Sequence, residues 1–147
     1  MIKVLIFAPQ VNDFVYLGSL IHLSTYSTPD IIRRSGITRA AMQSLDDYLW
    51  KPHISIPTKL KLYNTCILRI FLYGSECWSI TKVDACRIDA LDQWCLRTLL
   101  GTKWHQFVCS EGVRSITKQP NLTAIIQSWR LSTFGHIALW MMMQMPR

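Results

Sequence analysis

The residues from Ser55 to Thr81, SIPTKLKLYNTCILRIFLYGSECWSIT, make up the longest segment of this chain with one consistent periodicity. Leu60, Tyr63, Ile67, Ile70, Gly74 and Cys77 recur at alternating spacings of three and four, which sets them on one side of a helix. Lys61, Thr65, Arg69 and Glu76 fall on the other side. Ser55 is placed to cap the helix, and Pro57 sits in the first turn, where a missing N–H costs nothing. A helix this long needs cover for its apolar side, so the rest of the chain is expected to pack against it.

Towards the N-terminus, Lys3 to Ala8 and Phe14 to Ile21 are short runs rich in Val, Ile, Phe and Tyr, separated by Pro9, Asn12 and Asp13. That pattern predicts a β-hairpin within residues 1–24. Two strands alone are marginal in water, so the hairpin must lie on the helices, or on the sheet of a longer protein. Thr28, Pro29 and Asp30 supply a cap, an N1 proline and a first-turn acid in order, and a helix from there ends before Pro52. Its inward residues are read as Ile37, Ala41, Leu45 and Tyr48, with Arg39, Gln43 and Asp46 outside. A third helix over Lys82 to Leu100 turns Ile88, Leu91, Cys95 and Leu99 to one side, with Gly101 as its stop. Ser110 and Glu111 open a brief helix to near Thr117, and Pro120 and Asn121 begin a last one with Ile125, Trp129 and Ile137 inward. The expected fold is mainly α: a bundle of four or five helices over residues 25–140 with a small N-terminal β-hairpin. Residues 141–147 form a Met-rich tail, read either as exposed or as a late packing strip.

With 147 residues, half of them hydrophobic, one domain with a sizeable core is expected. Sixteen Lys and Arg against nine Asp and Glu give +7, which suits a polyanionic partner or an acidic membrane surface, or a basic protein with neither role. Asn64 and Arg69 interrupt the most apolar run, so no span of about eighteen residues is available to cross a bilayer. The opening MIKVLIFAPQ is shorter than the roughly seven to fifteen apolar residues of a signal-peptide core. Together these favour an intracellular protein, cytoplasmic or nuclear, with no membrane partner. The five cysteines are odd in number and lack a C-x-x-C pair; they read as buried free thiols in a reducing compartment, with Cys109 alone near solvent. His22, His53, His105 and His136 are scattered, so no zinc site is expected.

Nothing in the pattern points to catalysis by this chain. Two-metal chemistry needs converging carboxylates, whereas the adjacent acids Asp46 and Asp47 point to different sides of a helix. The six glycines are isolated, which excludes a phosphate loop, and no serine sits in a nucleophile elbow. No cofactor and no small-molecule substrate are expected.

The cations carry more information. Arg33 and Arg34 lie in the first turns of a helix, where the macrodipole disfavours positive charge by about 0.3 to 1 kcal/mol. Either a phosphate docks there, or both pair locally with Asp30. Lys59 and Lys61 hold the equivalent place on the central helix and Arg69 continues the outward row, so these cations either follow a nucleic-acid backbone or merely solubilise a face. Arg39, on the outer side of its helix, joins the candidate set. Lys103, Trp104 and His105 form a basic and aromatic loop that would stack on a base if Trp104 is not core.

Taken in order, FVYLGSLI, DIIRRSGITRAAMQSL, the central SIPTKLKLYNTCILRIFLYGSECWSIT, RIDALDQWCLRTLLGTKW and RLSTFGHI resemble the C-terminal part of non-LTR retrotransposon reverse transcriptases, the LINE-type endonuclease and reverse transcriptase polyproteins. The resemblance runs from about Lys3 to Ala138, and LYGSE-x-W and L-D-x-W-C-L-R are its most distinctive segments. It implies that the part ending near YLGS closes the palm sheet, that the helices beyond form the thumb and connection, and that the partner is an RNA/DNA template–primer duplex. The family's catalytic aspartates lie upstream of YLGS, so the resemblance implies a non-enzymatic piece of an RNA-directed DNA polymerase. Arg69 stands where proline is common in the family, Trp129 and Cys109 stand where arginines are common, and Leu139 and Trp140 replace the family's usual ending after GHI. Losing arginines weakens a phosphate grip, and a decaying genomic copy read from a late start codon is the expected source of the losses at Trp129 and Cys109.

Overall fold

The computed structural model describes residues 12–22, 26–46, 48, 53–102 and 108–144. Within them a two-stranded antiparallel hairpin is followed by six α-helical segments, two of which join through a π-turn into one central rod, and this is the mainly helical bundle expected. Lys3 to Ala8, the first predicted strand, lies outside the described residues. The hairpin is instead built wholly from the second predicted strand: β1 is Asp13–Tyr16, β2 is Ser19–His22, and Phe14 faces Ile21 in the register. Leu17 and Gly18 turn the chain with φ of 47° and 83°. Two consecutive positive φ values define a type I′ turn, whose twist matches that of the strands it joins. Leu17 pays about 1 kcal/mol for that conformation.

α1 spans Thr28–Ser44 and stops well short of Pro52. Its buried residues are Asp30, Ile31, Arg34, Thr38 and Met42, while Ile37 and Tyr48 are exposed and Ala41 and Leu45 only half-buried. The inward row is therefore displaced by one residue from the apolar reading, because half of it is polar. Hydrophobic periodicity counts only the apolar members of a face.

The central segment is not one continuous α-helix. α2 spans Ile56–Leu62, a π-turn follows at Tyr63–Ile67, and α3 spans Leu68–Leu72. In the π-turn the Leu68 N–H donates to the carbonyl of Tyr63, five residues back, so one extra residue is accommodated. Every inward position beyond it moves on by one. Ile70, Gly74 and Cys77 were expected inside; Phe71, Ser75 and Trp78 are the buried residues. The helix also ends at Leu72 rather than at Thr81: Gly74, with φ of 76°, turns the chain into a short 3-10 turn at Ser75–Cys77 and then an extended run. A Cβ at Gly74 would stand 2.6 Å from Ser19 Oγ, so the hairpin is seated directly on this turn.

α4 spans Lys82–Leu100 as predicted, with Ile88, Leu91, Cys95 and Leu99 buried. Thr81 and Asp84 form a reciprocal capping box, and Gly101 closes the helix in the left-handed conformation. α5 is Ser110–Thr117, also as predicted, and α6 is Leu122–Gln144. Only Leu122 and Ile126 of α6 are buried; Trp129 and Ile137, expected inward, are exposed. The core is a single cluster in which Ile31 and Met42, Tyr63, Ile67 and Phe71, the α4 row, Val113, Leu122 and Ile126 meet. Phe71 and Trp78 pack edge to face with ring centroids 5.5 Å apart. Each such side chain contributes about 1.5 to 3 kcal/mol on burial.

Candidate nucleic-acid interface

Asp30 is where the site begins. Its side chain is buried, and it accepts from the Leu20 N–H of β2 at 3.0 Å and from Trp78 Nε1 at 2.9 Å. Arg33 and Arg34 approach the same carboxylate at 3.7 and 4.0 Å. Both arginines also donate to the carbonyl of Gly18 at the hairpin turn, and Arg34 donates further to the Ile70 carbonyl at 3.3 Å while stacking on the Tyr73 ring at 4.7 Å. Tyr73 in turn donates its hydroxyl to the Leu17 carbonyl at 2.8 Å. The local pairing with Asp30 that the sequence allows for Arg33 and Arg34 is present. Arg34 is 7% exposed, and its fork is spent on holding the hairpin to α1 and α3.

Lys59 departs from expectation in the same way. It is buried, and its Nζ donates to the Leu99 carbonyl at 3.3 Å, near the C-terminus of α4, where the helix dipole favours a cation. It therefore stands apart from the exposed Lys61, two residues away on α2. Arg39 is exposed as expected, with its guanidinium 5.7 Å from the Trp94 ring centroid. Arg69 is exposed on α3. Lys103, with Trp104 and His105, lies outside the described residues.

The space these elements enclose is a cleft of about 650 Å³ between the hairpin, the end of α3 and α6. Tyr16, Tyr73 and Trp129 give it aromatic walls, Leu17 and Ile21 apolar ones, and Arg69 and Glu76 are its charged members. Flat rings beside a cation can receive a base with its phosphate, in the manner of single-strand binding surfaces. Trp129, one of the departures from the family pattern, is therefore a lining residue rather than a core one, and so is Arg69. No local pattern signals this grouping, because the residues are up to 113 positions apart and only the fold brings them together.

Two further buried acids, Asp84 and Asp92, are occupied by structure. Asp84 accepts from the hydroxyls of Thr81 and Thr28, joining the starts of α4 and α1; burial alone would raise its pKa, yet these hydrogen bonds and Arg87 hold the carboxyl below its usual range. Asp92 is buried beside Tyr63, whose hydroxyl donates to it at 3.1 Å, and Arg114 stands 3.6 Å away. Burial outweighs both partners and pushes Asp92 up to about 6. Burial, with Asp92 next to it, raises Tyr63 and pushes the Cys95 thiol up to about 12. Cys95 is the buried cysteine, whereas Cys66, Cys77 and Cys86, expected inside, are exposed together with Cys109. Among the described residues no cluster of His, Cys, Asp or Glu is arranged to hold a metal ion, and no helix is long and apolar enough to cross a membrane.

No family model matches the chain, and no curated protein or solved structure is detectably similar to it.

Proposed function

We propose that this chain is a thumb-and-connection module of a non-LTR retrotransposon reverse transcriptase, non-catalytic by itself, that retains sequence-independent binding of a template–primer duplex. The observation that carries the reading is the exposure of Lys61, Arg69 and Arg39 on a chain of net charge +7, which suits a duplex backbone, while the aromatic cleft beside Arg69 suits an unpaired base at the duplex end. The sequence resemblance supports it, and so does the structural employment of Asp30, Asp84 and Asp92. Among the candidate cations in the described residues, Lys61, Arg69 and Arg39 are exposed and are the ones expected to meet phosphates. Anisotropy with a labelled RNA–DNA duplex over a salt series tests this. Replacing each of the three by Gln should lower the salt slope by about one and weaken binding uniformly across sequences. Lys59→Met and Arg34→Gln should act through stability instead. Absence of binding at low salt removes the proposal.

One observation favours a second reading, a small helical interaction module rather than a nucleic-acid binder. The outer half of α6 is apolar and exposed, from Leu131 through Met143. A translated relic without selected function is expected to show neither duplex binding nor a defined assembly.

A further inference from the structure

The cleft beneath the hairpin holds two charged side chains that no other part of the fold employs. Arg69 and Glu76 both line it, and among the described residues neither side chain has a hydrogen bond or an ion pair, even with the other. The carboxylates of Asp30, Asp84 and Asp92, by contrast, hold elements of the fold together. A third polar group in the wall is the hydroxyl of Ser19, set against the Gly74 turn that leads into Glu76: a Cβ at Gly74 would stand 2.6 Å from it. We infer that the cleft selects guanine as the unpaired base, with Glu76 on its Watson–Crick edge and Arg69 on its phosphate. The inference rests on the duplex-binding reading above and names the base that its cleft takes.

The selection follows from the sign of the polar groups. An ionised carboxylate only accepts hydrogen bonds, at two oxygens. Guanine alone among the four bases presents two adjacent donors, N1–H and the N2 amino group, on the edge that is free when a base is unpaired. Adenine and cytosine offer one donor beside a ring nitrogen that repels a carboxylate, and uracil one donor between two carbonyl oxygens. Guanine O6, next to N1, is an acceptor that the Ser19 hydroxyl can meet. A phosphate alone would find Arg69 but be repelled by Glu76, whereas a base carrying its phosphate uses both. Glu76 is half-buried, and hydrogen bonds to an ionised group away from open water are the stronger ones. Tyr16, Tyr73 and Trp129 supply flat faces for the ring. The volume of about 650 Å³ lies within the roughly 300 to 1,000 Å³ of small-molecule sites, so one nucleotide is accommodated.

Anisotropy of the full chain with one labelled RNA–DNA duplex, blunt or carrying a single unpaired G, A, C or U, separates base selection from duplex binding. The blunt duplex reports on the reading above, and the ratio among the four unpaired bases reports on guanine selection. Unpaired G should bind about tenfold more tightly than each of the others, the scale of one bidentate base contact. Unpaired inosine, which keeps N1–H and O6 but lacks the N2 amino group, should lose most of that advantage, and Glu76→Gln should remove it. Inosine alters only the ligand, so it decides the matter where the variant fails to fold. Calorimetry with free GMP and AMP tells a soluble nucleotide from an unpaired end, and it tests the base preference where no duplex binds. Equal affinities for the four unpaired bases, full retention of the preference by inosine, or a preference untouched in folded Glu76→Gln overturns the inference. So does the absence of a GMP preference where no duplex binds.

Discussion

Asp92 shows how a single buried carboxyl sets the pH response of this fold. Its folded pKa, about 6, lies above the ordinary 3.8, so between these values the native chain binds the proton that the unfolded chain has released. Stability supplied by the neutral carboxyl is complete below about 3.8, falls as pH rises towards 6 and is flat above that. At 1.36 kcal/mol per pH unit the loss is about 3 kcal/mol. Asp84, held below its usual range, acts with the opposite sign and only at still lower pH. Urea unfolding at pH 4.5 and at pH 7 should therefore show the native protein more stable at the lower value, with Asp92→Asn removing most of the difference. Equal midpoints for the native protein at both pH values would count against a raised Asp92. None of this was visible in the sequence, where Asp92 reads as an outward charge on an otherwise well-predicted helix; its burial is settled by Tyr63 and Arg114, 29 positions before it and 22 after it.

At the scale of the element, legibility followed the caps. α4 and α5 span the expected residues: Gly101 is the stop read from the sequence, while the starts are held by the Thr81–Asp84 capping box and by Cys109, whose sulfur accepts from the Gly112 N–H. Faces were harder to read. In α1 the inward row includes Asp30, Arg34 and Thr38, which no apolar periodicity can detect, and in the central segment the π-turn moved the downstream face by one residue. The hairpin was foreseen in kind, but the Leu17–Gly18 turn within it was missed because leucine is uncommon at positive φ. Glycine has unequal weight at the two remaining left-handed sites. Gly74→Ala adds a 2.6 Å contact with Ser19 to the cost of the conformation, whereas Gly101→Ala meets open space. Thermal unfolding should show Gly101→Ala losing about 1 to 2 kcal/mol and Gly74→Ala distinctly more. The Gly74 variant should also expose β1 and β2 to hydrogen exchange. Equal losses would mean that the hairpin is not seated on this turn.

For the molecule as a whole, the single core makes the cysteines a probe of integrity. Cys95 is buried and its thiol is held far from ionising, so it is inert while the bundle is intact. Four of the five thiols should react promptly with a disulfide reagent under native conditions, and the fifth only on the timescale of global unfolding. Prompt reaction of all five would show that α4 opens independently. The core cluster was largely readable from the α4 stripe, whereas the cleft was not, since it exists only through long-range contacts of Asp30, Arg34 and Tyr73 with the hairpin.

The π-turn at Tyr63–Ile67 is, in effect, a one-residue insertion absorbed inside a helix. Deleting Thr65, an exposed residue within the turn, would remove the extra residue and restore uniform winding while leaving Phe71 in the core and Arg69 at the cleft. An alignment that places a relative across this segment without a gap, when that relative lacks the turn, will pair core positions with surface ones from Leu68 onward. A gap there therefore marks a difference in shape rather than a lapse in homology.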